Sequence, residues 1–477
     1  KVIIRDVLVF QKYRIDKDTK FKRKLVSDKV REELEAGLVS GERRFYIDLP
    51  NPEHHTGHTL GEEIRYLSKK KEKQLIAQQK AVMDLTFLGT GTCYPMPNRG
   101  VSSTVFRHDG ECWMFDCGEG TQTQLRKSRL RPGSITKIFI THLHGDHLFG
   151  LPGLLCTVSM GMPPQPTGAT GTTGAGGTRI ELYGPVGLRR YIRVSLELSR
   201  SLLNCNYAVH ELMPPDSDLP SGWEEWQPSH QADGPLHPQE VEGSEIRMDP
   251  QDMSWHIFED KKVIVKAAPL THRVPCFGYV IEEKTKVGKL KAGYLKERGI
   301  PPGPLYARIK AGESIVSPSG EVISPAEAVG PSIPGRKIVI LGDTRDSSRI
   351  SQIAYDADIL LHEATFRNEM VEKCLDVGHS TPAMAAAFAQ SINAKNLVLF
   401  HISQRFRSAG AETEAGEETV EILLRQASEA GYAGHVVLAE DLDIITIERK
   451  EGMVAAETET ETETQVEMEA ATSSLDT

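Results

Sequence analysis

Residues 140–147 read Ile-Thr-His-Leu-His-Gly-Asp-His and continue an apolar run that begins at Ile135. A short β-branched run that ends in a turn rich in His and Asp predicts a buried strand with functional side chains in the loop behind it. That loop carries four potential metal ligands: His142, His144, Asp146 and His147. Ligands so close in sequence diverge in direction, so two neighbouring ions are predicted rather than one. Imidazole with carboxylate favours zinc or a similar first-row metal in a site that keeps a position open for water.

Further ionisable residues stand where other predicted strands end. His272 comes just after the predicted strand Val263–Ala267, which makes it a candidate third ligand for the first ion. Three more predicted strands, 337–341, 359–361 and 396–400, lead into Asp343, Glu363 and His401. Random placement would not put three such residues at strand ends. We therefore predict a layered α/β domain whose strands deliver them to loops at one edge of a sheet.

The composition predicts a globular protein of a reducing, intracellular compartment. Hydrophobic residues make up 39% of the chain, yet no apolar run approaches the roughly 18 residues of a membrane span. The seven cysteines are scattered, odd in number and without a C-x-x-C pair, which predicts unpaired thiols. The sequence starts at Lys1 rather than Met. It does not choose between an organelle (plastid or mitochondrion), the nucleus and the cytosol.

The net charge of −10 is unevenly distributed. Residues 451–477 hold eight acidic and no basic side chains, which predicts a disordered acidic tail. Residues 1–82 hold 19 Lys and Arg against 13 Asp and Glu and form a basic N-terminal extension of unassigned role. Residues 284–310 hold eight Lys and Arg against one Glu, interrupted by a Pro-Pro-Gly-Pro elbow at 301–304. Such a basic arm suits a phosphate backbone, and the alternative is a charged solvent-exposed hairpin.

Residues 83–450 are predicted to form one domain between the extension and the tail. Two stretches of low complexity interrupt this domain. Residues 163–178 are rich in Gly, Thr and Pro, and residues 213–253 are rich in Pro, Ser and acidic side chains. We interpret both stretches as flexible surface insertions.

Taken together, these motifs resemble the tRNase Z (ribonuclease Z) family of the metallo-β-lactamase superfamily. The resemblance spans about residues 84–447 and is carried by the His-x-His-x-Asp-His loop, by the stretches 342–344, 362–365, 379–381 and 401–403, and by Pro302-Gly303-Pro304. It implies a four-layer αββα metallo-β-lactamase sandwich with a protruding flexible arm, or exosite, at about residues 284–335. It also implies a zinc-dependent endoribonuclease that removes the 3′ trailer from precursor tRNA. Hydrolysis after the discriminator nucleotide would leave a 3′-hydroxyl on the tRNA and a 5′-phosphate on the trailer.

The resemblance assigns ligands for two zinc ions per chain. One ion would be held by His142, His144 and His272, and the second by Asp146, His147 and His401. Asp343 would bridge the two. Asp146 would also orient the attacking water, and His379, oriented by Glu363, would donate a proton to the departing 3′ oxygen.

The resemblance assigns RNA contacts as well. The family's P-x-K-x-R-N loop corresponds to residues 95–100, where Pro97 and Gly100 replace the Lys and the Asn. Arg99 is then the expected phosphate or base contact of this loop, and the response to trailers that contain CCA is open. The arm residues expected to contact tRNA are Lys289, Lys291, Pro302, Gly303 and Pro304. Short family members pair so that one arm serves the other active site, which implies a homodimer.

Two other functions stay open at the level of the sequence. The ligands alone also suit a metallo-β-lactamase-fold hydrolase of a small phosphodiester or other ester, because the fold does not choose the substrate. The basic arm would then have no assigned function. A non-catalytic RNA-binding protein is the other alternative, and seven residues matched to two metal ions argue against it.

Overall fold

The computed structural model describes residues 3–9, 42–48, 83–162, 179–215, 219, 235–412 and 418–449. The chain divides into two units, residues 1–76 and residues 77–477. In the first unit, strands β1 (Ile3–Val9) and β2 (Glu42–Asp48) pair antiparallel. The predicted insertion at 163–178, residues 216–218 and 220–234 of the second insertion and the predicted tail at 451–477 lie outside the described residues.

Most strands of the second unit belong to two large sheets. In chain order the strands are β3 (Asp84–Gly89), β4 (Ser103–His108), β5 (Glu111–Phe115), β6 (Ile135–Phe139), β7 (Arg179–Pro185), β8 (Asn206–Met213), β9 (Glu240–Val241), β10 (Glu245–Arg247), β11 (Trp255–Glu259), β12 (Val263–Leu270), β13 (Cys276–Glu283), β14 (Ile315–Val316), β15 (Val322–Ile323), β16 (Lys337–Ile340), β17 (Ile359–Glu363), β18 (Asn396–Phe400), β19 (Phe406–Arg407), β20 (Glu418–Thr419), β21 (His435–Leu438) and β22 (Ile444–Thr446).

The helices of this unit lie between those strands. They are α1 (Thr121–Lys127), α2 (Gly145–Leu148), α3 (Leu151–Met160), α4 (Leu188–Leu198), α5 (Ala292–Glu297), α6 (Pro304–Lys310), α7 (Pro325–Ala328), α8 (Ser351–Ala354), α9 (Val371–Asp376), α10 (Pro382–Ser391) and α11 (Glu421–Glu429). Short 3₁₀ turns precede β6, α8 and α9 at Pro132–Ser134, Ser348–Ile350 and Asn368–Met370.

The two large sheets share one apolar core. The first sheet has the strand order β10-β8-β7-β6-β5-β4-β3-β22, with β9 also on β8, and the second has the order β11-β12-β13-β16-β17-β18-β21. Successive side chains of a strand point to opposite faces of its sheet. Phe87 of β3, Phe139 of β6 and Leu361 of β17 accordingly lie in one buried cluster that both sheets line.

The outer face of each sheet is covered by helices. Leu88 and Ile138 of the first sheet pack with Leu154 of α3. Leu399 of the second sheet packs with Leu423 of α11 and with small side chains of α10. The order of layers is therefore helix, sheet, sheet, helix, and the αββα metallo-β-lactamase architecture expected from the sequence is confirmed.

Parallel strands bring the functional loops to a common edge. Strands β5 to β8 run parallel to one another in the first sheet, and β16, β17, β18 and β21 do so in the second. The carboxyl ends of parallel strands lie at the same edge of a sheet. The loops after β6, β16 and β18 therefore carry their His and Asp residues to these edges.

The basic segment 284–335 forms a small folded module between β13 and β16. Its helices α5 to α7 and its hairpin β14-β15 surround an apolar cluster of their own, which includes Leu295, Ile300 and Ile309. Two antiparallel bridges, Lys286 with Ile333 and Leu290 with Val329, close its base. That the module protrudes and moves as a flexible arm stays a prediction, as do the domain limits at 82/83 and 450/451.

The described part of the second insertion is ordered into short strands, since β9 and β10 both pair with β8. Its flexibility stays a prediction. Among the helices that the structure describes, none has the length and apolar character needed to cross a bilayer.

Tyr279 ties the second sheet to the start of the metal-binding loop. Its buried hydroxyl donates a hydrogen bond of 2.7 Å to the carbonyl oxygen of Ile140 in the other sheet. We expect Tyr279→Phe to lower the free energy of unfolding by about 1–3 kcal/mol, because the buried carbonyl loses this donor. Urea denaturation followed by circular dichroism measures this change.

Tyr183→Phe is the matched control for this prediction. The Tyr183 ring also stacks on Phe139, but its hydroxyl makes no hydrogen bond to the part of the chain that the structure describes. We expect a change within about 0.5 kcal/mol for this variant. Equal stability of both variants would show that the link between the sheets contributes nothing.

Candidate metal centre

The first group of donor atoms comes from three loops. His142 and His144 follow β6, His272 follows β12 and Asp343 follows β16. Nδ1 of His144 lies 3.0 Å from Nε2 of His142 and 3.2 Å from Nε2 of His272. Oδ2 of Asp343 lies 3.7 Å from Nε2 of His142 and 3.9 Å from Nε2 of His272. All four side chains thus point a donor atom at one small volume.

The second group lies beside the first and combines α2 with the loop after β18. Nε2 of His147 lies 3.2 Å from Nε2 of His401. Oδ2 of Asp146 lies 3.4 Å from Nε2 of His401 and 3.9 Å from Nε2 of His147. Asp146, His147 and His401 therefore bring their donor atoms together, and these are the residues expected to hold the second ion.

Asp343 belongs to both groups. Its Oδ2 faces the first group, whereas its Oδ1 lies 3.2 Å from Nε2 of His147 and 3.2 Å from Nε2 of His401. Tetrahedral zinc with bonds of about 2.0–2.1 Å separates two ligand atoms by about 3.3 Å. The separations of 3.0–3.4 Å are close to such an edge, whereas three carboxylate–imidazole separations, of 3.7–3.9 Å, are longer. The nitrogen and oxygen donors suit zinc. The structure thus brings together all seven residues that the sequence proposed as ligands, and the carboxylate of Asp343 faces both groups.

Asp116, directly after β5, orients the ligands of the β6 loop. Its Oδ2 accepts hydrogen bonds from Nδ1 of His147 at 2.7 Å and from Oγ1 of Thr141 at 2.9 Å. The Thr141 hydroxyl accepts in turn from Nδ1 of His142 at 3.0 Å. With the proton of each ring held on Nδ1, Nε2 of His142 and of His147 presents its lone pair to a metal.

Glu363 plays the corresponding role at the end of β17. It is fully buried, and its Oε1 accepts from Nδ1 of His379 at 3.0 Å. Its Oε2 accepts from Oγ1 of Thr365 at 2.5 Å, and that hydroxyl accepts from Nδ1 of His401 at 2.9 Å. One carboxylate therefore orients both a metal-facing histidine and the expected proton donor.

A backbone carbonyl orients the third histidine of the first group. Nδ1 of His272 donates to the carbonyl oxygen of Gly378 at 2.7 Å. Gly378 has φ of +84°, and a Cβ there would lie 2.9 Å from the same nitrogen. Only glycine fits this position without displacing His272.

His401 also has a left-handed backbone, with φ of 57°, which is strained for a residue with a side chain.

The electrostatics divide the histidines into two kinds. Burial, with neighbouring histidines adding to it, lowers the pKa of His142 well below its usual value and that of His144 to about 4. Both rings are neutral near pH 7 and can bind a metal. At His147 burial is outweighed by Asp343 and Asp116, which raise its pKa well above the usual value. Carboxylates that hold a proton there also attract a metal cation, which would displace that proton.

The two residues expected to act on the substrate carry opposite charges. Burial opposes ionisation of Asp146, but hydrogen bonding to His401 and the charge of His147 outweigh it and lower the pKa of Asp146. Its Oδ2 also accepts the backbone N–H of Cys93 at 2.7 Å. At His379 the Glu363 carboxylate outweighs burial and raises the pKa to about 9, so this ring is protonated near pH 7.

An open cavity of about 430 Å³ gives access to the metal centre. The residues around it include Cys93, Glu119, Asp146, Phe149, Arg273 and His379. Phe149 is 63% exposed at its rim. The metal-facing side chains therefore meet a solvent-filled space wide enough for part of a large substrate.

Arg99, the expected phosphate or base contact of the 95–100 loop, is buried in the structure. Its guanidinium is 5% exposed and donates to Oγ1 of Thr90 at 2.5 Å and to the carbonyl oxygen of Ala439 at 3.3 Å. It also pairs with Glu440 at 2.9 Å. These contacts hold the 95–100 loop against the β21–β22 turn. An RNA contact by Arg99 stays a prediction, and it would require this buried ion to leave its partners.

The arm residues lie apart from the metal ligands, in the folded module. Lys289, Lys291, Pro302, Gly303 and Pro304 are all exposed there. Other cations of the segment are paired, for example Arg298 with Glu321 and Arg308 with Glu313. The two lysines have no carboxylate partner among the described residues, so they remain available to a phosphate.

Sequence reasoning missed the residues that orient the ligands. Asp116, Thr141 and Thr365 each accept a hydrogen bond from Nδ1 of a metal-facing histidine. One signal was present in the sequence, since Asp116 directly follows the apolar run 112–115, which forms part of β5 next to β6. Thr141 and Thr365 lie inside the quoted stretches 140–147 and 362–365, but those motifs assign the threonines no role, because the partners of their hydroxyls are set by the fold.

Comparison with known proteins identifies the family. The chain is 46% identical to "Zinc phosphodiesterase ELAC protein 1" of Homo sapiens, over 77% of this chain and 99% of that protein. It is 35% identical to "Ribonuclease Z" of Bacillus velezensis, over 77% of this chain and 100% of that protein. The chain belongs to the ribonuclease Z family. The crystal structure of human tRNase Z, short form, is similar as well, with 38% identity, a TM-score of 0.51 and coverage of 77% of this chain and 100% of that one.

Two family models match shorter parts of the chain. The model described as amyotrophic lateral sclerosis 2 chromosomal region candidate gene 8 matches residues 1–102, and the model described as Anti-Pycsar protein Apyc1 matches residues 83–164. Neither covers half of the chain. Membership of the ribonuclease Z family therefore rests on the relatives and agrees with the His and Asp clusters of the metal site.

Asp116 provides a test of the metal site of this ribonuclease Z. We expect Asp116→Asn to lower the affinity for zinc by about 10–100-fold, because the ligand histidines lose the carboxylate that fixes their protons. Competition against a chromophoric chelator measures the affinity. Glu119→Gln is the control, since Glu119 is an exposed carboxylate of the same cavity without a hydrogen bond to any described residue. Equal zinc affinities of the two variants would contradict the role of Asp116.

Proposed function

We propose that this ribonuclease Z is a zinc-dependent endoribonuclease that removes the 3′ trailer of precursor tRNA by hydrolysis after the discriminator nucleotide. The products would be a tRNA with a 3′-hydroxyl and a trailer with a 5′-phosphate. The observation that carries the proposal is the double group of ligands that shares Asp343, in a chain 46% identical to a zinc phosphodiesterase. Two zinc ions per chain would bind in the two groups. Bound there, zinc would supply an acidified water and would offset negative charge on the phosphoryl oxygens.

Asp146 would orient the attacking water. Its carboxylate is ionised, is held by the Cys93 backbone N–H, and borders the open cavity. A carboxylate in this state can accept a proton from the water as it attacks phosphorus. The hydrogen bond from the Cys93 backbone N–H helps to orient this carboxylate.

His379 would protonate the departing 3′ oxygen of the tRNA. It borders the same cavity, and Glu363 keeps it protonated and fixes its Nδ1. Nε2 is then the proton donor to the substrate. Nδ1 of His379 lies 3.7 Å from Oδ2 of Asp343, so the ring lies beside the two metal groups, where the reacting phosphate would bind.

The basic module 284–335 would bind tRNA away from the metals. Its exposed lysines and its Pro302-Gly303-Pro304 turn would contact the sugar-phosphate backbone of the RNA rather than its bases. Such contacts select a folded RNA by its shape. We further propose a homodimer in which one module serves the partner's active site. The proposed location is an intracellular, reducing compartment, and the seven unpaired cysteines are consistent with it.

The direct test is cleavage of a precursor tRNA with a 3′ trailer by the zinc-loaded protein, with both product ends mapped. We expect cleavage after the discriminator nucleotide. Asp146→Asn and His379→Gln should each slow the reaction by about 10²–10⁴-fold under single-turnover conditions. His379→Gln should keep the zinc content of the wild type, because His379 acts on the leaving group. Full activity of this variant with both ions bound would exclude its assigned role.

Removal of the basic module separates the proposal from the small-ester alternative. Deleting residues 291–328 and joining Leu290 to Val329 through an Asn-Gly turn closes the bridge that these two residues already form. We expect cleavage of precursor tRNA to fall by at least about 100-fold, while hydrolysis of bis(p-nitrophenyl) phosphate stays within about twofold. Equal loss of both activities would indicate a damaged fold, and equal retention would favour the small-ester hydrolase.

A further inference from the structure

A second cavity, of about 480 Å³, adjoins the metal centre. We call it the arginine cavity, because Arg273, Arg345 and Arg349 line it. The wall between it and the metals is formed by His272, which lines the cavity and also turns its Nε2 toward the first metal group. Arg273 borders both the arginine cavity and the cavity above the metal centre. The two spaces therefore meet at this exposed side chain.

The lining of the arginine cavity combines positive charge with apolar surface. No carboxylate occurs among the described residues that line it. Arg345 is held in the wall, where its side chain donates to the carbonyl oxygen of Leu375 at 3.3 Å and its backbone N–H donates to that of Thr271 at 3.0 Å. Pro269, Val274 and Pro275 supply apolar surface beside the guanidinium groups. Guanidinium groups bind phosphate through paired hydrogen bonds, and an apolar wall accepts the face of a base.

The position of the cavity selects one part of the substrate. Gly378 lines the arginine cavity, and the next residue, His379, lines the cavity of the metal centre. On the proposed function, His379 acts on the 3′ oxygen that leaves with the tRNA. The arginine cavity would then lie on the side of the mature tRNA, and in-line attack would put Asp146 and the water on the opposite side of the phosphorus.

We propose that the arginine cavity binds the discriminator nucleotide, with Arg273 and Arg345 on the phosphate at its 5′ side. This nucleotide carries the departing 3′ oxygen and follows the last base pair of the acceptor stem, so its base is unpaired. An unpaired base can leave the stack and enter a protein cavity at low cost. Binding it would fix the scissile phosphate over the metals and place the cut one nucleotide beyond the stem.

Arg273→Ala tests the proposal on the full-length, zinc-loaded protein. We expect KM for precursor tRNA to rise about tenfold, and the slope of log kcat/KM against log salt concentration to fall by about 0.7, as for one phosphate contact on a single strand. Arg273→Lys should recover part of the affinity. Arg345→Ala should act in the same direction.

Arg200→Ala is the control for general loss of positive charge. Arg200 is exposed and follows α4, which runs back from the carboxyl end of β7, so it lies at the edge of the sheet away from the metals. Its salt dependence should equal that of the wild type. The same salt slope for Arg273→Ala, Arg345→Ala and the wild type would overturn the proposal.

A neutral methylphosphonate in the substrate locates the contact. Placed on the 5′ side of the discriminator nucleotide, it should raise KM for the wild type about tenfold and have no further effect on Arg273→Ala. Additive losses would show that Arg273 binds elsewhere and would overturn the assignment. Failure of the wild type to cleave any precursor tRNA would remove the proposed function and this inference with it, whereas normal cleavage with additive losses removes only the inference.

Discussion

The two oxygens of one buried carboxylate, that of Asp343, face two separate groups of metal-binding atoms. Oδ2 lies near Nε2 of His142 and of His272 in the first group, and Oδ1 lies near Nε2 of His147 and of His401 in the second. A buried carboxylate requires cationic or hydrogen-bonding partners around it. This requirement binds the two sheets together, because the β6 loop comes from one sheet and the β16 and β18 loops come from the other. The αββα sandwich can thus be understood as the frame that brings these edges face to face.

Two further carboxylates keep this arrangement in register. Asp116 fixes the ring protons of the β6 loop, and Glu363 fixes those of His379 and, through Thr365, of His401. Each carboxylate follows or ends a buried strand, so its position is set by the core rather than by a loop. Glu363 has a second effect, since the negative charge that orients His379 also keeps this ring protonated. Orientation and acidity of the proposed proton donor therefore have one physical cause.

Much of the site could be predicted from the sequence because its ligands follow strands. The β6 loop holds four proposed ligands in six residues, and His272, Asp343 and His401 each lie within five residues of the end of a predicted strand. Features that depend on contacts distant in sequence could not be predicted. Thr365 acts on His401 across 36 residues, and Arg99 is buried by Ala439 across 340 residues.

Several predicted strand ends were also misplaced. The strand predicted to end at Ala267 continues to Leu270, because it pairs with β13 over its whole length. The strand predicted at 359–361 likewise continues to Glu363. The arginine cavity was equally hidden, because Arg273 and Arg345 become neighbours only through the sheet.

The central claim is that one carboxylate lies between two metal ions. Anomalous diffraction at the zinc edge from zinc-loaded crystals should show two peaks about 3.5–4 Å apart, one on each side of Asp343. A single peak, or two peaks that Asp343 does not separate, would contradict the account.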